Sequence, residues 1–246
     1  MTAPVFVVDR FETLGGGSFV LDGPEGRHAV SVKRLRPGEA VVLTDGAGRW
    51  AEGEVEAAEG KDRLVVRLGE VEEEPAETPT ITVVQALPKG DRGELAVETM
   101  TEVGVDRIVP WTASRCITQW KGERGLKSLG KWRATAREAG KQSRRVRFPE
   151  VADAASTKQV ASLLAEAGFA AVLHESGTDP LATAELPATG DIVLVVGPEG
   201  GIAPDELALF EQSGARAYRL GRSVLRTSTA GTAAAALLLG RTGRWS

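Results

Sequence analysis

The stretch DIVLVVGPEGGIAPDE, Asp191 to Glu206, decides the fold. Asp191 to Val196 predicts a strand, its residues from Ile192 on all β-branched or leucine, which is how a strand reads when both faces of its sheet are covered. Gly197 ends the run. The Gly197-Pro198-Glu199-Gly200-Gly201 segment predicts a tight turn whose glycines let backbone amides approach a ligand while Pro198 stiffens it. Taken alone, that segment also reads as a plain strand-to-helix turn. Pro204-Asp205-Glu206 then places proline and two acids where a helix starts, and the helix should run to Gly214.

The same grammar repeats on either side. Ile81 to Leu87 predicts a strand, and Asp91 to Val103 a helix closed by Gly104, with Leu95, Val97, Met100 and Val103 mostly on one side. Arg107 to Trp111 predicts a strand, Lys131 to Ser143 a basic helix, Thr157 to Ala167 a helix and Phe169 to Leu173 a strand. Ala215 to Leu220 is the last strand, and Thr227 to Leu239 a very apolar last helix that suits a core or a dimer interface. Strands alternating with helices call for an α/β domain with a mostly parallel sheet covered on both faces. Ligands on such sheets sit at the carboxyl ends of the strands.

Ahead of this region the pattern is different. Val5 to Val8, Ser18 to Leu21, Ala40 to Thr44, Trp50 to Val55 and Arg63 to Leu68 are short strand candidates separated by Gly, Pro and Asp, which predicts a small β-barrel. Val30, Val32 and Leu35 among basic residues suggest a short helix or turn presenting charge, and Asp45-Gly46-Ala47-Gly48 a hairpin turn. The acidic, proline-punctuated Glu72 to Pro79 reads as a linker. The expected domains are therefore residues 1–73 and 80–246.

Composition narrows the chemistry. The 246 residues carry a net charge of −4, 42% hydrophobic residues, and 29 glycines and 12 prolines without period, so collagen-like and disordered classes fit poorly. One cysteine, Cys116, and two histidines cannot build a disulfide framework or a His/Cys zinc cluster, so no metal is expected. With no secretory signal and no apolar run longer than Ala233 to Leu239, a cytoplasmic protein without a membrane anchor is expected.

The modest net charge conceals an asymmetry. Arg27 to Arg36 holds four basic residues and no acid, and Arg115 to Arg147 holds eleven against Glu123 and Glu138. Residues 51–79 compensate with ten acids against Lys61, Arg63 and Arg67. Such runs are either solvated helix faces or a surface for a polyanion, and Trp111, Trp120 and Trp132 in or just beside the second run favour nucleic acid.

Three strand ends are candidate ligand sites: Leu173-His174-Glu175-Ser176-Gly177, the Gly197 to Gly201 turn, and Leu220-Gly221-Arg222-Ser223-Val224-Leu225-Arg226-Thr227. No G-x-x-x-x-G-K-[ST] occurs, and no G-x-G-x-x-G followed by a helix, so nucleotide hydrolysis and dinucleotide redox chemistry lose their main support. Arg226 and Thr227 open a helix whose amino end favours negative charge.

At these residues the chain resembles the RsmE-type small-subunit ribosomal RNA methyltransferases, a branch of the SPOUT, or α/β-knot, superfamily. The resemblance spans nearly the whole chain. It rests on His28-Ala29-Val30 with Arg34 to Gly38, on Leu87-Pro88-Lys89-Gly90-Asp91, on Glu102 to Val105, and on the Pro110 to Arg115 segment. Further blocks are Glu138-Ala139 with Gln142-Ser143-Arg144, the Gly197 to Gly201 turn, and Leu220-Gly221 with Leu225-Arg226-Thr227. The resemblance implies a PUA-like barrel, a trefoil-knotted parallel-sheet domain, a homodimer, and methylation of N3 of a 16S rRNA uridine near the decoding site with S-adenosylmethionine. Two departures stand out. Leu225-Arg226-Thr227-Ser228-Thr229 has Ser228 where the family has glutamate, so any role of that glutamate is absent or moved. Pro4-Val5-Phe6 stands where the family often has arginine followed by aromatics, with Arg10 coming later.

What the resemblance implies for the site follows from the reaction. A sulfonium methyl is already activated, so the enzyme must place uridine N3 in line with it and favour the deprotonated imide. The implied cofactor residues are Leu173, His174 and Glu175, then Gly197, Pro198, Glu199 and Gly200, and finally Leu220, Gly221, Val224, Leu225 and Thr227, acting mostly through backbone and shape. Arg226 is the implied catalytic group, neutralising charge on a uracil carbonyl; it could equally pair with Glu199 or hold a phosphate. Glu138, Gln142 and Arg144 of a dimer partner would orient the uracil edge, or else are ordinary helix-surface groups. His174 is a candidate base by its titration range, though a lone histidine at a strand end is commonly structural. Implied RNA contacts, mainly to phosphates, are Lys33, Arg34, Arg36 and Lys89, with Arg115, Arg144, Arg145 and Arg147. A ribose 2′-O-methyltransferase of the same superfamily and a non-catalytic RNA-binding or assembly factor remain alternatives.

Overall fold

The computed structural model describes residues 3–11 and 17–245, and the chain divides into two compact units. The first comprises Met1–Ala76 together with Gly140–Phe148. Its sheet contains β1 (Val5–Val7), β2 (Ser18–Leu21), β3 (Ala40–Thr44), β4 (Arg49–Glu59), β5 (Arg63–Leu68) and β6 (Glu72–Glu73). The order is β1-β3-β4-β5-β2, with β6 added beside β4, and every pairing is antiparallel except β1 with β3. Alternation puts Phe6, Leu43, Leu64 and Val66 into one apolar interior. The basic Arg27 to Arg36 run begins in α1 (Gly23–Arg27), which passes into one π-helical stretch, His28–Val32. Lys33, Arg34 and Arg36 follow it and are exposed.

Two features of this unit depart from expectation. The linker begins later, because Glu72 and Glu73 pair with Trp50 and Arg49 as an edge strand. The segment 140–148, which local pattern assigns to the second domain, is instead built into the first unit. Phe148 N–H donates to Gly46 O at 2.8 Å, Thr44 Oγ1 donates to Val146 O at 2.7 Å, and the buried Lys141 ammonium meets Glu25 Oε1 at 3.0 Å. These partners lie about a hundred residues apart in the chain, beyond the range of any periodicity.

The second unit comprises Glu77–Ala139 and Pro149–Ser246. Its strands are β7 (Thr80–Ala86), β8 (Arg107–Trp111), β9 (Glu150–Val151), β10 (Phe169–Leu173), β11 (Asp179–Pro180), β12 (Asp191–Val196) and β13 (Arg216–Arg219). They form a parallel sheet in the order β11-β13-β10-β12-β7-β8-β9. The Ile192 to Val196 run is buried at every position, as a central strand requires. Helices α2 (Arg92–Val103) and α6 (Thr227–Arg241) pack on each other, as do α4 (Thr157–Glu166) and α5 (Pro204–Gln212). Ring contact between Trp111 and Phe210, 5.2 Å between centroids, ties β8 to α5.

Helix α3 (Gly122–Gln142) starts nine residues before the expected Lys131. Gly122, Gly125 and Gly130 lower its intrinsic helicity. Leu129, Trp132, Ala136 and Ala139 nevertheless recur at helical spacing, and burial of that stripe outweighs propensity. No helix is long and apolar enough to cross a membrane among the described residues.

Candidate functional site

The sheet register places the site. Tyr218, Leu173, Val196, Gln85 and Pro110 are successive partners across β13, β10, β12, β7 and β8, so five strands end almost level. The three loops singled out from sequence leave adjacent strands β10, β12 and β13, although they are separated by tens of residues in the chain. They enclose a cleft of two connected lobes. One, about 400 Å³, lies between Leu173-His174-Glu175 and the Leu220 to Leu225 loop. The other, about 750 Å³, adds Val196, the Gly197 to Gly201 turn, Arg92, Arg115, Arg226 and Thr227. Leu173, His174, Glu175, Val224, Leu225 and Ala230 border both. All the expected cofactor residues, Leu173 to Glu175, Gly197 to Gly200, Leu220, Gly221, Val224, Leu225 and Thr227, line this cleft. Volumes of this order suit a small-molecule ligand.

The lining is unusual in leaving apolar groups in the open. Val224 is 81% exposed and Leu225 40%. Isolated exposed apolar residues need no explanation, but two in sequence on a concave wall offer surface to a flat ligand. Around them the chain supplies mainly backbone. Gly201 N–H donates to Pro198 O at 2.9 Å and has φ +74°, a left-handed turn that glycine adopts without strain. Thr227 Oγ1 donates to Gly197 O at 3.1 Å, joining the start of α6 to the end of β12. Arg226 precedes α6 with an extended backbone and is exposed, and among the described residues it forms no ion pair. The alternative of an Arg226–Glu199 pair is not what the structure contains: Glu199 Oε1 accepts from Lys89 N–H at 3.1 Å.

His174 has a local structural partner set. Its Nδ1 accepts from Ser176 N–H at 3.2 Å and lies 2.7 Å from Ser176 Oγ, which folds the loop after β10 back on itself. Because Nδ1 is an acceptor here, the neutral ring carries its proton on Nε2. Gly200 serves a different end from the one its sequence suggests. A Cβ there would lie 3.2 Å from Arg115 Cβ, and Arg115 Nη1 donates to Gly200 O at 3.3 Å, so the bare glycine accommodates the arginine.

The other expected residues are distributed differently. Glu138 lies on α3 in the second unit, while Gln142, Arg144, Arg145 and Arg147 belong to the first, and none of them lines the cleft. Arg144 is exposed with φ 61°. Arg147 is engaged within its own unit, donating from Nη2 to Glu74 O at 2.7 Å, which leaves it less available for RNA than expected.

Sequence reasoning missed two residues. Arg92, the first residue of α2, lines the larger lobe. Glu206, only 4% exposed, accepts from Ser114 N–H (2.8 Å), Thr157 Oγ1 (2.9 Å) and Ala203 N–H (3.2 Å), fastening α5 and the glycine turn to the loop after β8. Its place three residues into a helix start was the available signal, obscured because Ala203 cannot act as a polar cap. Cys116 is buried, which pushes its thiol above the usual range and keeps it from acting as a thiolate.

Fold and cleft point to one class. Residues 75–239 match the family model described as RNA methyltransferase domain, and residues 21–69 that described as RNA methyltransferase PUA domain. Ribosomal RNA small subunit methyltransferase E of Mycobacterium tuberculosis is 47% identical over 100% of this chain and 94% of its own length. The protein of that name from Bacillus subtilis is 28% identical over 87% of this chain and 86% of its own. The crystal structure of ribosomal RNA small subunit methyltransferase E from Neisseria gonorrhoeae bound to S-adenosyl methionine superposes with a TM-score of 0.87 at 29% identity, covering 98% of each chain. A methyltransferase of Legionella pneumophila in complex with the same cofactor gives 0.87 at 27%, again over 98% of each. The present chain belongs to the ribosomal RNA small subunit methyltransferase E family.

Proposed function

We propose that this protein transfers a methyl group from S-adenosylmethionine to N3 of a uridine in the 16S rRNA of the small ribosomal subunit. The observation that carries the reading is the cleft itself: three strand-end loops on neighbouring strands, open apolar side chains at Val224 and Leu225, and at its edge an exposed Arg226 that makes no ion pair among the described residues. The residues fit the cofactor. Leu173, Val224 and Leu225 offer apolar surface to an adenine, backbone groups of Gly197, Leu220 and Gly221 can satisfy its polar edges, and Glu175 can take a cationic or hydroxyl group. When bound, S-adenosylmethionine supplies a sulfonium methyl that needs no further activation.

The chain's own task is positioning and electrostatics. Arg226 donates to a uracil carbonyl oxygen and so favours loss of the N3 proton at the moment of attack. His174 holds the loop after β10 and is not assigned as base; the proton leaves to solvent. Lys33, Arg34, Arg36 and Arg144 serve the RNA backbone from the first unit, with the barrel of residues 1–73 as the RNA-binding domain and residues 80–246 as the methyl-transfer domain. A homodimer, with Glu138, Gln142 and Arg144 supplied across the interface, a trefoil knot around the cofactor loops, and a cytoplasmic location complete the proposal.

The test is to incubate the protein with methyl-labelled S-adenosylmethionine and unmodified small subunits, digest the RNA and identify the labelled nucleoside. Label in N3-methyluridine is expected. Label in a 2′-O-methylated nucleoside overturns the N3 assignment, and absence of both transfer and calorimetric cofactor binding overturns the enzyme reading in favour of an RNA-binding factor.

A further inference from the structure

The larger lobe of the cleft is lined by three arginines from three separate strand-end loops. Arg92 opens the helix after β7, Arg115 lies in the loop after β8, and Arg226 ends the loop after β13. Arg115 is aimed by its bond to Gly200 O and still has further N–H groups to offer. Neither Arg92 nor Arg226 makes an ion pair or a hydrogen bond through its side chain among the described residues. Of the two acids bordering the same lobe, Glu199 is turned toward Lys89 N–H, and Glu175 stands at the junction with the smaller lobe.

Three arginines lining one lobe concentrate like charge there unless an anion lies among them, and the fork geometry of guanidinium matches carboxylate or phosphate oxygens. The cofactor is a poor candidate for that anion: its single carboxylate is offset by its own ammonium and sulfonium charges. A phosphodiester carries a full negative charge and two free oxygens. We propose that Arg92, together with Arg115 and Arg226, forms a subsite that binds one backbone phosphate of the substrate RNA next to the target nucleotide. The subsite rests on the reading of the protein as an RNA methyltransferase and adds Arg92 to it as a residue that places the substrate. Arg226 then lies between the phosphate and the reacting base, so that one side chain couples strand placement to the chemistry.

The experiment compares wild type, Arg92→Ala and Arg92→Lys in binding a 16S rRNA fragment containing the target uridine, across a salt series, with cofactor binding followed by calorimetry. For Arg92→Ala, RNA affinity is expected to fall about tenfold and the slope of log K against log salt to shrink by about 1, with cofactor affinity unchanged. Arg92→Lys restores the slope and only part of the affinity. A fragment with one neutral methylphosphonate beside the target uridine should weaken binding to wild type more than about tenfold and weaken Arg92→Ala by several-fold less, because only Arg115 and Arg226 remain on that phosphate, a non-additivity that a merely structural defect would not produce. Unchanged slope and affinity in Arg92→Ala overturn the subsite. So does a loss confined to cofactor binding, which would assign Arg92 to the methionine carboxylate. If wild type binds RNA with these Arg92 effects yet transfers no methyl group, the proposed function fails while the phosphate site stands.

Discussion

Glu206 offers the most direct test of how the cleft is held open. Its carboxylate is 4% exposed and takes three donors, two of them backbone N–H groups of Ser114 and Ala203 and the third the hydroxyl of Thr157. Glu206→Ala removes all three acceptors at once. Thr157 keeps the bond it accepts from Trp111 Nε1 at 3.2 Å, but its own O–H and the two backbone donors lose their acceptor in a site with little room for water. Each unsatisfied buried donor costs roughly 1–3 kcal/mol, and hydrogen bonds to a charged acceptor lie at the upper end. The expected destabilisation is therefore about 4 kcal/mol. For a unit of this size that lowers the thermal midpoint by about 8–16 °C. Glu206→Gln keeps the volume and one oxygen but turns an amide NH2 toward a donor, so about half that loss is expected. Thermal unfolding followed by near-UV circular dichroism measures both. Because Ser114 adjoins Arg115 and Ala203 follows the glycine turn, cofactor affinity should fall in step with stability. A Glu206→Ala protein within 1 kcal/mol of wild type would refute the claim that this carboxylate fastens the cleft wall.

Three further outcomes follow from particular contacts. Gly93→Ala would normally help a helix by roughly 1 kcal/mol, but a Cβ there would sit 2.6 Å from the buried Trp132 ring, so lower stability in urea unfolding is expected. Arg244→Ala should cost about 2–3 kcal/mol, because the Arg244 side chain, 6% exposed, holds Asp106 through two bonds of 2.6 and 3.1 Å and also meets Glu77, and Arg244→Lys should not rescue it. Burial pushes the Asp191 carboxyl above the ordinary carboxylate range, against hydrogen bonds from Thr80 and Thr82 that pull it down. A raised carboxyl destabilises the fold above its native pKa and has no effect below its unfolded one. Asp191→Asn should therefore raise stability at neutral pH, with the gain fading as pH falls into the ordinary carboxylate range in a series of denaturation midpoints.

Much of the site was legible because its signals are local. The apolar run of β12, the glycine turn after it and the Leu220 to Thr227 loop announce themselves by residue type, and each turned out to border the cleft. Arg92 carried no such signal: arginine is a common surface residue, and only the level ends of β7, β8 and β12 bring it to the same lobe as Arg115. Gly200 was legible as a turn residue, but its neighbour was not, since Arg115 lies 85 residues away.

The amino-acid sequence by itself determined the alternation of strand and helix in residues 80–246, the short-strand character of the first unit, and the positions of the strand-end loops, because these follow from hydrophobic period and from turn chemistry within a few residues. Tertiary structure alone decided the strand order β11-β13-β10-β12-β7-β8-β9, the assignment of Gly140–Phe148 to the first unit, and the length of α3. The physical reason is the same for all three. Each depends on burying a particular face or satisfying a particular donor against a partner far away in the chain. Lys141 with Glu25, Val146 with Thr44 and Trp132 with Gly93 are such pairs, and no local propensity encodes which distant surface will be there to receive them.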